Sequence, residues 1–219
     1  MSARPAISVL SSVNPAEPLS PWADALREQL AKLLLGSGRG DEAVAMYREV
    51  FERRATHSDY LRLRKAAEQA GRWREVRGWA LDFMRERART GKYRQVHLGE
   101  LISVLLREDL AEEAWSTAAG EPDQISESQW LQLISLRESE HPADVLGPLS
   151  RLIELGVEQA GDKYRYPKAV KVLRRLREDY EHAGDAAGFG VYLAGLRERQ
   201  RRKYSFIAKL DATFGTEGS

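Results

Sequence analysis

One short phrase returns along this chain and constrains its fold more than any other feature. Gly38-Arg39-Gly40-Asp41-Glu42-Ala43-Val44-Ala45-Met46-Tyr47 reads as a tight turn, a helix opened by acids, and a small residue where another helix comes close. Looser copies are Gly71-Arg72-Trp73-Arg74-Glu75-Val76, Asp109-Leu110-Ala111-Glu112-Glu113-Ala114-Trp115 and Gly184-Asp185-Ala186-Ala187-Gly188-Phe189. Turn markers at 38, 71, 109, about 140 and 184 are spaced by 33, 38, about 31 and about 44 residues. A helix–turn–helix unit of this period cannot bury its apolar face alone, so units stack. The expected fold is all-α, a helical-hairpin solenoid of about ten to eleven helices.

Each position in the phrase has a physical reason. Gly38, Gly71 and Gly184 take a backbone conformation that other residues resist. Acids in the first turn meet the positive end of the helix dipole. Ala43 and Ala114 are small because paired helices cross there at roughly 8–10 Å, and Tyr47 and Trp115 fill the space beside the crossing.

The remaining segments read the same way. Residues 1–19 hold Pro5, Pro15 and Pro18 and no apolar period, which predicts a flexible arm before a single helical domain over 20–214 and a disordered tail over 215–219. Ser20-Pro21 is a helix start, with Leu26, Leu30, Leu33 and Leu34 as the apolar stripe. Ser58 is the expected cap of a helix carrying Leu61, Leu63, Ala66 and Ala67. Val76, Trp79, Ala80 and Phe83 share a face, and the segment Val96–Leu106 is apolar enough to be well covered. Ser126 caps the next helix, His141-Pro142 is a stop and restart, and Pro148 is an expected kink. No segment alternates at period two long enough for a strand.

Composition narrows the chemistry. The chain of 219 residues is 42% hydrophobic with net charge +1, so it can build a core and has no global pull toward nucleic acid or membrane. It has no cysteine, which removes disulfides, thiol catalysis and Cys-ligated metal. The expected location is cytoplasmic, with no membrane span, since no stretch approaches the roughly 18 apolar residues that one needs.

The segment from Gly38 to Phe51 resembles the second half of a tetratricopeptide repeat: turn glycine, acids, small crossing residue, aromatic four residues later. A longer likeness covers residues 25–214. It is carried by Tyr60-Leu61-Arg62-Leu63-Arg64-Lys65-Ala66-Ala67, the Gly71-Arg72-Trp73 turn, Glu140-His141-Pro142-Ala143-Asp144, Tyr166-Pro167-Lys168-Ala169-Val170-Lys171-Val172-Leu173, Tyr192-Leu193-Ala194-Gly195-Leu196-Arg197 and Arg201-Arg202-Lys203-Tyr204-Ser205-Phe206. In these the chain resembles the helical region C-terminal to the zinc finger in bacterial SWIM zinc-finger proteins. That family's Cys-x-Cys…Cys-x-His motif is missing here, so no residue inherits a metal-binding role. The resemblance implies a free-standing version, or a fragment, of the helical part.

No catalytic, cofactor-binding or metal-binding residues are expected. His57, His97, His141 and His182 are scattered. Glu138 and His141 have the Glu-x-x-His spacing of bundle metal sites, but there is no second such pair. Gly36-Ser37-Gly38-Arg39-Gly40 lacks the Lys-Ser/Thr ending and preceding strand of a phosphate loop, and reads as a hairpin turn. Charge distribution says more. Residues 100–144 hold eleven acids against Arg107 and Arg137, while residues 163–177 hold seven cations and no acid. Lys168, Lys171, Arg174 and Arg175 are the candidate partner or phosphate contacts on that basic segment.

Two functional readings follow. One is a non-enzymatic protein-interaction module, a helical-repeat scaffold or adaptor with a protein partner. The other is a nucleic-acid-associated accessory protein using the basic ridge; the ordinary solvated surface remains the plain reading of that ridge. Deletion of residues 1–19 is expected to leave the melting temperature within about 2 °C of the full chain, because the segment has no periodic apolar face. A larger loss in a calorimetric scan would show that Ile7, Val9 and Leu10 pack on the helices.

Overall fold

The computed structural model describes residues 21–216, with side chains from residue 25 onward. The expected arm and the last three residues lie outside this range. Among the described residues every regular element is helical. The α-helices are α1 (Pro21–Gly36), α2 (Gly40–Arg54), α3 (His57–Gln69), α4 (Trp73–Thr90), α5 (Arg94–Arg107), α6 (Ala111–Gly120), α7 (Glu127–Arg137), α8 (Pro142–Glu158), α9 (Arg165–His182), α10 (Ala186–Arg199) and α11 (Tyr204–Phe214), with a 3₁₀ turn at Pro122–Gln124. The chain divides into two compact units, Met1–Leu101 and Ile102–Ser219, with the division inside α5. None of the described helices is long and apolar enough to cross a membrane.

The recurring phrase has one geometry. Gly38, Gly71, Asp109 and Gly184 all sit in the left-handed region, with φ of +77°, +69°, +59° and +75°. In each case the following N–H reaches back to a carbonyl five residues earlier: Arg39 to Leu34 at 2.9 Å, Arg72 to Ala67 at 2.7 Å, Leu110 to Leu105 at 2.9 Å and Asp185 to Tyr180 at 2.9 Å. This is the Schellman closure, which satisfies carbonyls that the helix end leaves open. The same residues Arg39, Arg72, Leu110 and Asp185 then stand at the N-cap of the next helix. One dipeptide therefore ends a helix and starts its neighbour. Asp109 holds this conformation with a side chain, which aspartate tolerates better than most residues. The marker near 140 differs. His141 is N-cap at φ −135° without a left-handed residue before it, and Pro142 takes the first helical turn.

Several local expectations are corrected. The cap of α3 is Thr56, not Ser58: its hydroxyl accepts the Asp59 N–H at 3.1 Å and donates to the Asp59 carboxylate at 2.6 Å. The reciprocal bond fixes the start two residues earlier. On α1 the buried edge is Arg27, Ala31 and Leu34, while Leu26 and Leu33 are 48% and 71% exposed. Its packing partner is α2, and one neighbour covers only part of a leucine stripe. Val96 is exposed, whereas Leu98, Leu101, Ile102, Val104 and Leu105 are buried. Helix α8 carries Pro148 in its interior, where the sequence places it.

In the first unit α2 packs on both α1 and α3, and α3 on α4. Its core is aromatic at the centre. Phe51 meets Tyr60, Trp79 and Phe83 with centroids 6.1, 5.9 and 5.7 Å away, and Tyr60 meets Trp73 edge-on at 5.6 Å. Phe51, Tyr60, Leu63 and Ala67 are fully buried. In the second unit α8 packs on α7 and α9, and α9 also on α10 and α11. Leu149, Ile153, Leu173, Leu176, Leu196, Phe206 and Leu210 fill that core.

Ala43 and Ala114 are both wholly buried. Ala43→Arg forces volume and a charge into a filled seam, with an expected cost of about 3 kcal/mol. At about 2–4 °C per kcal/mol for a chain of this length, Tm should drop by roughly 6–12 °C. An unchanged melt would show that the seam has room.

Candidate functional site

A cleft of about 890 Å³ lies in the first unit, between α1, α2 and α3. Helix α1 supplies Glu28, Lys32 and Leu35, and α3 supplies Arg62, Lys65 and Gln69. Tyr47 of α2 lies between them. The helical period explains this division. On α3, Tyr60, Leu63, Ala66 and Ala67 turn inward, so Arg62, Lys65 and Gln69 line the other side at spacings of three and four. Gly40 sets the tight end, where an added Cβ would stand 2.8 Å from the Ala70 Cβ. That approach of α2 to α3 tolerates glycine alone.

The cleft carries mixed charge. Lys32 pairs with Glu28 at 3.1 Å, and Arg62 lies 3.8 Å from the same carboxylate and 3.1 Å from Asp59. Asp41 is held by Arg72 at 2.9 Å. Lys65 has no carboxylate partner among the described residues. The Tyr47 hydroxyl, nearly buried, has a pKa raised first by burial and then by the Glu28 charge. It therefore stays protonated and can donate a hydrogen bond. Sequence reasoning treated Tyr47 only as packing and passed over Lys32 and Lys65. Their spacing opposite the apolar stripe was the available signal, but it names a helix face, not a cleft.

No family model matches this chain, and no curated protein or solved structure matches it.

The basic segment of α9 is less free than its sequence suggests. Lys168 pairs with Asp162 at 2.7 Å and Arg177 with Glu181 at 2.9 Å. Arg175 does not stand on an open ridge with Lys168 and Lys171. It is half-buried, 2.5 Å from Glu138 at the C-terminal cap of α7, and it donates to Ser135 at 3.2 Å. Lys171 and Arg174 are exposed without a carboxylate partner among the described residues. Neutralised cations release fewer counterions to a phosphate backbone, so the segment offers fewer contacts than its seven charges imply.

His97 is half-buried, its pKa lowered by burial and by nearby Arg87, so it is neutral. Glu138, the partner of the expected Glu-x-x-His spacing, is taken by Arg175. Among the described residues no group of three or more His, Asp or Glu side chains could hold a metal ion.

Two buried aspartates behave oppositely. Burial alone would raise the Asp59 carboxyl, but hydrogen bonds from Arg54 and Thr56 and the charges of Arg54 and Arg62 outweigh it and hold it low. Asp179 is 4% exposed, and its Oδ2 has no hydrogen-bond partner among the described residues. Burial first, then the Glu138 charge, pushes its pKa up to about 6, against a smaller opposite pull from Arg175 and His182. Arg175 is spent on Glu138 and Ser135, which leaves Asp179 without a direct cation.

The folded state thus binds the Asp179 proton more tightly than the unfolded chain. That contribution is complete below about pH 4 and is lost as pH rises through about 6. Asp179→Asn should therefore raise Tm by several degrees at pH 8 and by about a third as much at pH 4.5. Equal changes at the two pH values would show that the carboxyl is not proton-linked to folding.

Proposed function

We propose that this chain is a non-enzymatic protein-interaction module, a scaffold or adaptor built of tetratricopeptide-like helical hairpins stacked as a solenoid. The observation that carries the reading is the cleft between α1, α2 and α3. At about 890 Å³ it has room for a few residues of a peptide or a ligand of similar bulk, not only for a single ion. Its lining offers donors of three kinds, the Lys65 ammonium, the Arg62 guanidinium and the Gln69 amide, beside a protonated Tyr47. Such groups suit the carbonyls and carboxylates of an extended polypeptide. Among the described residues, no histidine, serine or threonine lines the cleft. The four-fold recurrence of one turn geometry supports the hairpin-array part of the reading, as does the resemblance to the helical region of SWIM-associated proteins.

Photo-cross-linking tests the proposal. A photoreactive residue at Lys65 or Gln69 is expected to give a discrete protein adduct in extracts of the source cells, and the same residue at Arg177 on α9 should not. Lys65→Glu in the same chain should reduce the adduct at position 69 by at least about tenfold, with Tm unchanged within about 2 °C, since an exposed charge contributes only about 0–1 kcal/mol to stability. An adduct that disappears on nuclease treatment and forms instead through Lys171 or Arg174 would replace this reading with the nucleic-acid one.

A further inference from the structure

Where α4 gives way to α5, the His97 ring lies directly on Gly91, the residue that caps α4. A Cβ at position 91 would stand 2.6 Å from the His97 Cδ2 and 2.4 Å from the Arg87 carbonyl oxygen. The backbone of Gly91 is ordinary, with φ −65° and ψ 145°. The glycine is therefore required by the imidazole and carbonyl that crowd it, not by a left-handed turn. His97 stands near the start of α5 and Arg87 in the last turn of α4. His97 Nδ1 and Arg87 Nε are both buried, and neither has a hydrogen-bond partner among the described residues. The whole corner lies within the first unit, which ends at Leu101.

Two charges act on the His97 ring, one from each helix of the corner. Arg87 acts from α4, and its guanidinium also donates to the Arg53 carbonyl at the end of α2, at 3.2 Å. Glu100, three residues on along α5, pulls the other way. Its carboxylate already accepts the His57 N–H at the start of α3, and the His57 Nε2 is itself buried without a partner among the described residues. Burial and Arg87 together outweigh Glu100. No acceptor among the described residues reaches the His97 Nδ1, so the neutral ring carries its proton on Nε2 and leaves Nδ1 as a bare lone pair. In that state the ring is an uncharged filler. A proton on Nδ1 would place a cation in a buried position beside a guanidinium.

From this geometry we propose that the α4–α5 corner is an acid-sensitive latch: neutral His97 seated on Gly91 holds the start of α5 to the end of α4, and a proton taken from solvent at Nδ1 drives the ring off its seat and loosens the corner. Arg87 and Glu100 carry the change outward, because the first holds the Arg53 carbonyl and the second the His57 N–H. The direction follows from the state of the ring. Its pKa is held below the ordinary 6.5, so the folded corner gives up the proton more readily than the opened one. Its stabilising contribution is present above about pH 6.5 and is lost as pH falls below that value. The latch does not depend on the α1–α3 cleft having a ligand.

Asp179, in the second unit, responds to pH in the opposite sense, so a global melt mixes the two and the test reads the corner locally. Amide hydrogen exchange of the full chain is followed by NMR at about pH 7.5 and about pH 5.5, each rate being divided by that of an unstructured peptide at the same pH. Protection of the Gly91, His97 and His57 amides is expected to fall at least about threefold on acidification, because a pH about one unit below 6.5 favours the opened corner by that factor or more. His97→Gln cannot take up a proton and should remove the fall. Arg87→Gln should shrink it and move the titration midpoint of the His97 ring upward; it serves if the first variant folds poorly. The imidazole ¹⁵N shifts at pH 7.5 should show Nδ1 without a proton. A proton on Nδ1 at that pH would overturn the inference, as would protection that does not change with pH. A fall of equal size in both variants would assign the acid response to another group and would also overturn it.

Discussion

A single backbone hydrogen bond, repeated four times, sets the course of this chain. In each case the N–H after a left-handed residue closes back on the carbonyl five residues earlier, and the residue that donates it becomes the cap of the next helix. Only a residue that accepts positive φ can stand at that point, because a Cβ there crowds the following carbonyl. The bond closes the end of one helix and its donor begins the next, so only three residues separate the paired helices. Helices α1 and α2, α3 and α4, α5 and α6, and α9 and α10 are joined in this way. Where that bond is missing, at His141, proline supplies the stop instead.

The cores differ in character between the two units. Phe51 gathers three aromatic rings in the first, whereas leucine and isoleucine dominate the second. The buried charges differ in the same way. Asp59 is surrounded by donors from Arg54, Thr56 and Arg62, so its burial is compensated. Asp179 loses its nearest arginine to Glu138 and keeps an oxygen without a partner among the described residues. An uncompensated buried carboxylate shifts its pKa upward until protonation becomes the cheaper state. The contrast shows that burial alone does not decide a carboxyl's state; the competition for the neighbouring arginine does.

Pairing also decides what the surface can recognise. Lys168, Arg175 and Arg177 are each engaged by a carboxylate, so the segment richest in cations presents mainly Lys171 and Arg174. Around the hollow lined by Trp115 and Trp130 the acids are engaged in turn, by Arg137 and Arg151, which lie deeper than they do. In the α1–α3 cleft both signs remain, with Lys65 and the protonated Tyr47 as the groups with capacity to spare. Formal charge summed along a helix ranks these three surfaces differently from charge left over after pairing.

The sequence by itself determined the all-helical class, the positions of the left-handed turns at 38, 71, 109 and 184, the cap at Ser126 and the buried alanines at 43 and 114. Each of these depends on neighbours within one turn or hairpin, and that information is local. The tertiary structure alone decided which leucines of α1 face outward, where α3 begins, and that Arg175 turns inward to Glu138, 37 residues away. It also decided that Trp115 borders a hollow instead of filling a seam, and that Lys32, Arg62 and Lys65 share one cleft. A helical period fixes which residues share a face. It does not fix which face a neighbouring helix will cover, nor which of several carboxylates will reach a given arginine, because both depend on where the next helices are packed.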